Sequence, residues 1–159
     1  ISIGLPQIKL AWIVLSGPAA SVAATRDRLE LVCDTYLSVS TPVQEAAAEL
    51  LAAGASVRQQ IQRRIRENIG SLRARAAGAP ACTVLPVDAG WYAVLQVPTL
   101  MSEEDLVLSL LVEDGVLVHP GYFFDFARES FLIASLLPPP DVFAAGVTRI
   151  LRRCADHGP

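Results

Sequence analysis

The chain has 159 residues, of which 52% are hydrophobic, enough for one packed domain or a domain with a docking piece. This composition excludes disorder, and the net charge of −3 argues against nucleic-acid binding, which requires a basic surface. The apolar runs have the length of strands, far below the roughly 20 residues that span a bilayer, so we expect no membrane contact. Three widely spaced cysteines without a CxxC pair predict free thiols, no metal site and a cytoplasmic location.

The first part of the chain combines one apolar segment with helical patterns. Residues 10–16 (LAWIVLS) form a continuous apolar run, which is typical of a strand buried on both faces in a parallel sheet. A helical period follows over residues 18–36. A second helix is predicted over residues 42–53, with Thr41 as its N-cap, and Gly54 is expected to loosen the chain after it.

The second part changes from a helical to a strand period and back. Residues 55–76 are amphipathic, because apolar residues recur there at spacings of three and four while arginines occupy the other positions. This arginine stripe is interpreted as a solvated helix face. The elements predicted after it are strands at 82–85, 91–97, 116–119 and 131–136, and helices at 102–111 and 141–155.

This order predicts an α/β (α+β) fold class with a small, mostly antiparallel sheet of three to four strands. The helices are expected to pack on one face of the sheet. A single buried strand and helix within the first 50 or so residues are too little to close a parallel sheet, so this part is interpreted as the edge of a larger structure.

Four segments together resemble the C-terminal part of class I/II aminotransferases, the fold-type I enzymes that depend on pyridoxal 5′-phosphate (PLP). The resemblance covers essentially the whole chain and rests on the order and spacing of the segments GLPQIKLAWIV, GWYAVLQVP, VLVHPGYFFDF and FLIASLLPPPDVF. It implies that residues 1–53 are the end of the large cofactor-binding domain and that residues 54–159 are the small domain. It also implies that a chain without an initiator methionine is a fragment of a longer enzyme.

The resemblance places the cofactor lysine outside this chain. In the family, a Schiff-base lysine lies three residues before the Gly-Leu-Pro turn, a position that is Ile1 here, so this lysine is expected at or before Ile1 and absent. A cation eight residues after that lysine contacts the cofactor phosphate, and this position is Lys9. The alternative for Lys9 is a surface lysine before a strand.

The substrate residues implied by the resemblance lie near the C-terminus. An arginine usually binds the substrate carboxylate from the last strand, but Ile133 occupies its place. Arg128 is the candidate replacement, or else an exposed loop arginine. Tyr122 and Phe123 are expected to line the substrate mouth, with plain packing as their alternative, and His119 is expected to be a hydrogen-bonded residue at a strand end.

The predicted function is amino-group transfer between an amino acid and a 2-oxo acid, by a PLP-dependent transaminase whose C-terminal part this chain represents. The fragment alone is expected to be inactive and not to bind PLP covalently. Its expected partners are the missing large domain, the two substrates and a second copy in a homodimer. Two alternatives stay open: a non-catalytic relative or interaction module with the same fold, and a free-standing small α/β ligand-binding domain.

Overall fold

The computed structural model describes residues 8–36, 39–99, 101–128 and 130–156. The chain divides into an N-terminal unit, Ile1–Gln60, and a C-terminal unit, Ile61–Pro159. The elements in chain order are α1 (Ala19–Thr35), α2 (Thr41–Glu45), α3 (Ala47–Ala76), β1 (Thr83–Val84), β2 (Tyr92–Gln96), α4 (Glu103–Val112), β3 (His119–Pro120), β4 (Phe131–Ser135) and α5 (Pro140–Asp156).

The C-terminal unit is built on a four-stranded antiparallel sheet with the order β1-β2-β4-β3. Alternate residues of the central strands, such as Leu95 on β2 and Leu132 on β4, point to the hydrophobic core and are fully buried. Helices α3, α4 and α5 cover this same face with Leu72, Leu110 and Val147. The predicted sheet, with its helices on one face, is therefore confirmed.

Local sequence signals fix the ends of several elements in this unit. The Ser102 hydroxyl accepts a hydrogen bond from the Asp105 amide at 3.1 Å, so Ser102 is the N-cap of α4 as predicted. Gly90 and Gly115 adopt φ values of +85° and +63° in the turns before β2 and after α4, where glycine has no steric cost. β3 is shorter than the predicted strand at 116–119, because only His119 and Pro120 pair with β4.

The N-terminal unit departs from three predictions. The N-cap of α2 is Ser40, and Thr41, the predicted N-cap, is the first residue of the helix. The strand predicted at residues 10–16 is absent: this segment has no regular structure, and Ile13 and Val14 are 64% and 81% exposed. A strand requires a neighbour for its backbone hydrogen bonds, and no described segment pairs with this one. The predicted break at Gly54 is also wrong, because α2 ends at Glu45 and α3 runs continuously through Gly54. One glycine costs a helix only about 1 kcal/mol, which the surrounding helix-forming residues outweigh.

Candidate functional site

The loop between β3 and β4, described by the structure at residues 121–128 and 130, carries several aromatic side chains and an arginine. It begins as a 3₁₀ turn, Gly121–Phe124, and then changes direction at Asp125, whose φ of 57° is left-handed. Ser130, just before β4, has a φ of 99°. Non-glycine residues rarely adopt positive φ, so this loop is held in its conformation by its surroundings.

Five rings form an exposed aromatic cluster at this loop, which consists of Tyr92, His119, Tyr122, Phe123 and Phe124. Neighbouring ring centroids lie 4.9 to 6.2 Å apart, the range of favourable offset and edge contacts. Phe123 is 63% exposed and Tyr122 is 49% exposed. Exposed aromatic surface of this kind commonly marks a site that contacts a ligand or another protein surface.

The register of the sheet places this cluster on the face opposite the helices. His119 lies directly opposite Ile133, and Tyr92 pairs with the residue two positions after Ile133. Residues that face each other in an antiparallel pair share one side of the sheet. The neighbouring residues Leu132 and Ala134 point to the helices and the core. The cluster therefore surrounds the strand position of Ile133, which is itself only 3% exposed.

A buried carboxylate connects the two ends of the loop. Glu103, the first residue of α4, is 3% exposed and accepts hydrogen bonds from two backbone amides. Its Oε2 accepts from the Tyr122 amide at 3.1 Å, and its Oε1 accepts from the Phe131 amide at 2.7 Å. Gly121 packs so closely that an added Cβ would lie 2.8 Å from the Phe131 Cβ and 3.0 Å from the Glu103 Oε1.

Arg128 contacts the same loop through its guanidinium group. The guanidinium carbon lies 5.6 Å from the centroid of the Phe131 ring, a cation–π distance. Phe126 stacks against Phe131 with centroids 4.6 Å apart. Arg128 thus carries a positive charge at the end of the loop that bears the aromatic cluster.

The structure brings some of the predicted site residues together. Tyr122 and Arg128 lie on the same loop, and His119 begins the strand pairing that precedes it. Lys9 belongs to the N-terminal unit, where it is exposed and has a left-handed φ of 55°. The position of Ile1, at or before which the cofactor lysine is predicted, lies outside the described residues.

Glu103 and Tyr92 were not predicted from the sequence as parts of this region. Glu103, Glu104 and Asp105 look alike as first-turn acids that favour the helix dipole, but Glu104 and Asp105 are exposed. Gly121 offered a weak sequence signal for this region. A glycine next to an aromatic run indicates that another group packs close to the backbone there.

Other polar groups in the C-terminal unit have structural roles. A hydrogen bond from Arg153 holds the pKa of Asp114 below its ordinary value, and Arg152 adds a second ion pair at 2.9 Å. Hydrogen bonding to Cys82 and burial both raise the pKa of the Cys154 thiol. Cys33 is exposed.

Within the described ranges 8–36, 39–99, 101–128 and 130–156, no three or more His, Cys, Asp or Glu residues come together as a metal site requires. None of the helices in these ranges is both long enough and apolar enough to cross a membrane.

The sequence profile of the family "aminotransferase class I and II" matches residues 2–139, so the chain belongs to that family. No curated protein gave a match. Membership implies PLP as the cofactor of the full-length protein.

Solved structures of aminotransferases share the fold. A PLP-dependent aminotransferase from Streptococcus suis is 18% identical, with a TM-score of 0.78 over 99% of this chain and 40% of its own. The α-aminoadipate aminotransferase of Thermus thermophilus is 22% identical, with a TM-score of 0.68 over 86% of this chain and 36% of its own. The tyrosine aminotransferase of Leishmania infantum is also 22% identical, with a TM-score of 0.68 over 90% of this chain and 35% of its own. The chain therefore spans about two fifths of the length of these structures or less.

Proposed function

We propose that the chain is the C-terminal part of a PLP-dependent aminotransferase that exchanges an amino group between an amino acid and a 2-oxo acid. The observation that carries this proposal is the family match over residues 2–139. The fold likeness to three aminotransferases supports it. By itself the chain is expected to be inactive, because the family resemblance places the Schiff-base lysine at or before Ile1.

The exposed apolar side chains of the N-terminal unit support the proposed domain organisation. In this proposal residues 1–53 are the end of a large cofactor domain and residues 54–159 are the small domain. Trp12 is 59% exposed and Leu31 is 72% exposed, although both are residues that folded proteins usually bury. The proposed partner for this surface is the rest of the large domain. A homodimer and a cytoplasmic location stay predictions of the sequence.

Lys9 is the residue of this chain proposed to hold the cofactor. Its exposed ammonium group fits a phosphate oxygen, which it would bind as a point charge. PLP, when bound, supplies the electron sink for amino-group transfer. The contribution of Lys9 would be to hold the phosphate end of the cofactor, and so to orient the ring for the rest of the site.

Tyr122 and Arg128 are proposed to contact the substrate from the loop between β3 and β4. The exposed ring of Tyr122 offers apolar surface and a hydroxyl group, and Arg128 offers a positive charge on the same loop. Ile133 cannot bind a carboxylate, because its side chain is apolar and 3% exposed. Recognition of the substrate carboxylate would therefore fall to Arg128.

The test of this proposal uses the full-length protein and a panel of amino acids with 2-oxo acids. We expect amino-group transfer, measured as formation of the new amino acid, to depend on added PLP. Replacing Arg128 with Gln is expected to raise KM for the 2-oxo acid by about tenfold or more, because a charge-assisted hydrogen bond is lost. Transfer that is absent from the wild-type protein at saturating PLP would contradict the proposal.

A second measurement tests whether Lys9 contributes to PLP binding. Lys9→Ala is expected to weaken PLP binding by about 10- to 100-fold, since a hydrogen bond to a charged group is removed. Lys9→Arg keeps the charge and is expected to bind within a few-fold of wild type. Equilibrium dialysis of PLP against the purified full-length variants measures both. Equal affinities for the Ala variant and the wild type would assign Lys9 to the surface instead.

One observation favours a non-catalytic relative as a second candidate. An apolar, buried Ile133 stands at the position where the family resemblance places a carboxylate-binding arginine. A protein that keeps the fold and PLP binding but no longer binds an amino-acid carboxylate would have this feature. It would bind PLP in dialysis without transferring amino groups, which separates the two candidates.

A further inference from the structure

The loop between β3 and β4 is called the aromatic loop from here on. One side chain, that of Glu103, accepts a hydrogen bond at each end of this loop. Tyr122 lies at its start and Phe131 directly after its end, and both backbone amides donate to the Glu103 carboxylate. Between these two amides lie the exposed rings of Phe123 and Phe124 and the guanidinium group of Arg128. A change at Glu103 would therefore act on the loop from both ends.

The chemistry of the two hydrogen bonds requires a carboxylate at this position. Each oxygen of Glu103 accepts from a different backbone N–H, and the side chain is 3% exposed, so water cannot easily replace either bond. A glutamine has the same shape but only one acceptor oxygen. Its amide nitrogen would face a second N–H donor, leaving that donor unsatisfied.

The surroundings are shaped around this carboxylate. Gly121 leaves room for it, because a Cβ there would lie 3.0 Å from Oε1 and 2.8 Å from the Phe131 Cβ. Ser130 holds a φ of 99°, a strained value for a serine, immediately before the amide of Phe131 that Glu103 binds. Glu103 also begins α4, where a negative charge is favoured by the helix dipole.

We propose that Glu103 is a positioning residue that holds the aromatic loop, and with it Tyr122 and Arg128, in place for the amino-acid substrate. This inference rests on the proposed aminotransferase function and names a residue that acts on the substrate only through the loop. Loss of one of the two hydrogen bonds releases one end of the loop. The aromatic rings and the guanidinium group then no longer hold one arrangement before the substrate binds.

The first arm of the test measures the loop without reference to activity. Hydrogen exchange in the full-length protein is followed for the amides of Tyr122 and Phe131. In Glu103→Gln, at least one of them is expected to exchange about 10- to 100-fold faster. Glu104→Gln removes the same charge from the next, exposed residue and is expected to leave both rates unchanged.

The second arm separates positioning from general stability. Measured well below the unfolding temperature, Glu103→Gln is expected to raise KM for the amino acid about tenfold while kcat stays within about twofold. Glu103→Asp keeps both acceptor oxygens on a shorter stem, so its KM is expected between wild type and Gln. If Glu103→Gln does not fold, the same measurements are made on Glu103→Asp.

The outcomes distinguish this inference from the proposed function. Absence of amino-group transfer in the wild-type protein contradicts the proposed function, and the exchange rates then still decide whether Glu103 holds the loop. If the wild type is active, unchanged exchange rates in Glu103→Gln overturn the inference. Faster exchange with an unchanged KM overturns it as well, because the loop would then move without consequence for the substrate.

Discussion

The two units of the chain contain similar proportions of apolar residues, but only the C-terminal unit packs them into a core. The C-terminal unit buries Leu95, Leu110 and Leu132 completely between a sheet and three helices. In the N-terminal unit, α1 forms over 17 residues although none of them is buried. An isolated helix of this length is only marginally stable in water, so the C-terminal unit is the part whose packing can sustain its own fold.

The comparison shows that a local pattern and a buried core are separate requirements. Helix α1 follows its sequence pattern, but Leu31 and Tyr36 remain 72% and 73% exposed. The apolar segment 10–16 does not become a strand, since a strand depends on hydrogen bonds from another segment. A helix forms its backbone hydrogen bonds within itself. The N-terminal unit therefore contains helix α1, while the strand predicted at residues 10–16 does not form.

The largest expected effect is a loss of folding stability, which we test by replacing one leucine in each unit. Leu132→Ala removes a fully buried side chain from the central strand and is expected to lower the free energy of unfolding by about 2–5 kcal/mol. Leu31→Ala in α1 removes an exposed side chain and is expected to change it by no more than about 0.5 kcal/mol. Urea titration of this chain measures both. Comparable losses for the two variants would break the contrast between the units.

Two glycine-to-alanine substitutions test how tightly the C-terminal unit packs around the loop between β3 and β4. Gly121→Ala places a Cβ against Phe131 and Glu103 and is expected to destabilise the chain by about 1–3 kcal/mol. Gly70→Ala, in α3, meets no atom within 4 Å and is expected to stabilise the helix by up to about 1 kcal/mol. Thermal unfolding should show shifts of opposite sign. A neutral Gly121→Ala would mean that the loop is not closely packed.

The smallest expected effect concerns the ion pairs of Asp114 in the C-terminal unit. Arg153 lowers the pKa of Asp114 in the folded state, so this carboxylate stabilises the fold at pH values above its ordinary pKa of about 4. The contribution is lost as the pH falls through the lowered value. Asp114→Asn is therefore expected to reduce stability at pH 7 and to make no difference at the acid end.

The Asp114–Arg153 pair is largely buried, with 15% of the Arg153 and 4% of the Asp114 side chain exposed, but two features limit the effect of Asp114→Asn. The Arg152 side chain is 64% exposed, and Arg153 keeps Glu113 as a second partner at 3.0 Å. Unfolding midpoints of wild type and variant, measured from neutral pH downward, should converge as the pH falls. A difference that stays constant over this range would mean that packing, and not ionisation, is responsible.

Much of the fold could be predicted because periodicity and caps are local. The strands of the sheet, the N-cap at Ser102 and the final helix all follow from patterns within a few residues. The apolar spacing of α3 identified Ile65, Ile69 and Leu72, but not Asn68 on the same face. Asn68 is fully buried because its amide group donates to the carbonyls of Leu136 and Pro138, each at 2.9 Å. Those partners are about 70 residues away, beyond the reach of any local pattern.

The sequence by itself determined the family, the order of elements in the C-terminal unit and the loop on which Tyr122 and Arg128 lie. Only the tertiary structure decided which of the adjacent acids of α4 is buried, and that His119 lies opposite Ile133. The physical reason is that burial and register depend on what another segment of the chain presents. The same reason explains the segment 10–16, whose apolar residues specify a strand only when a neighbouring strand is there to pair with them.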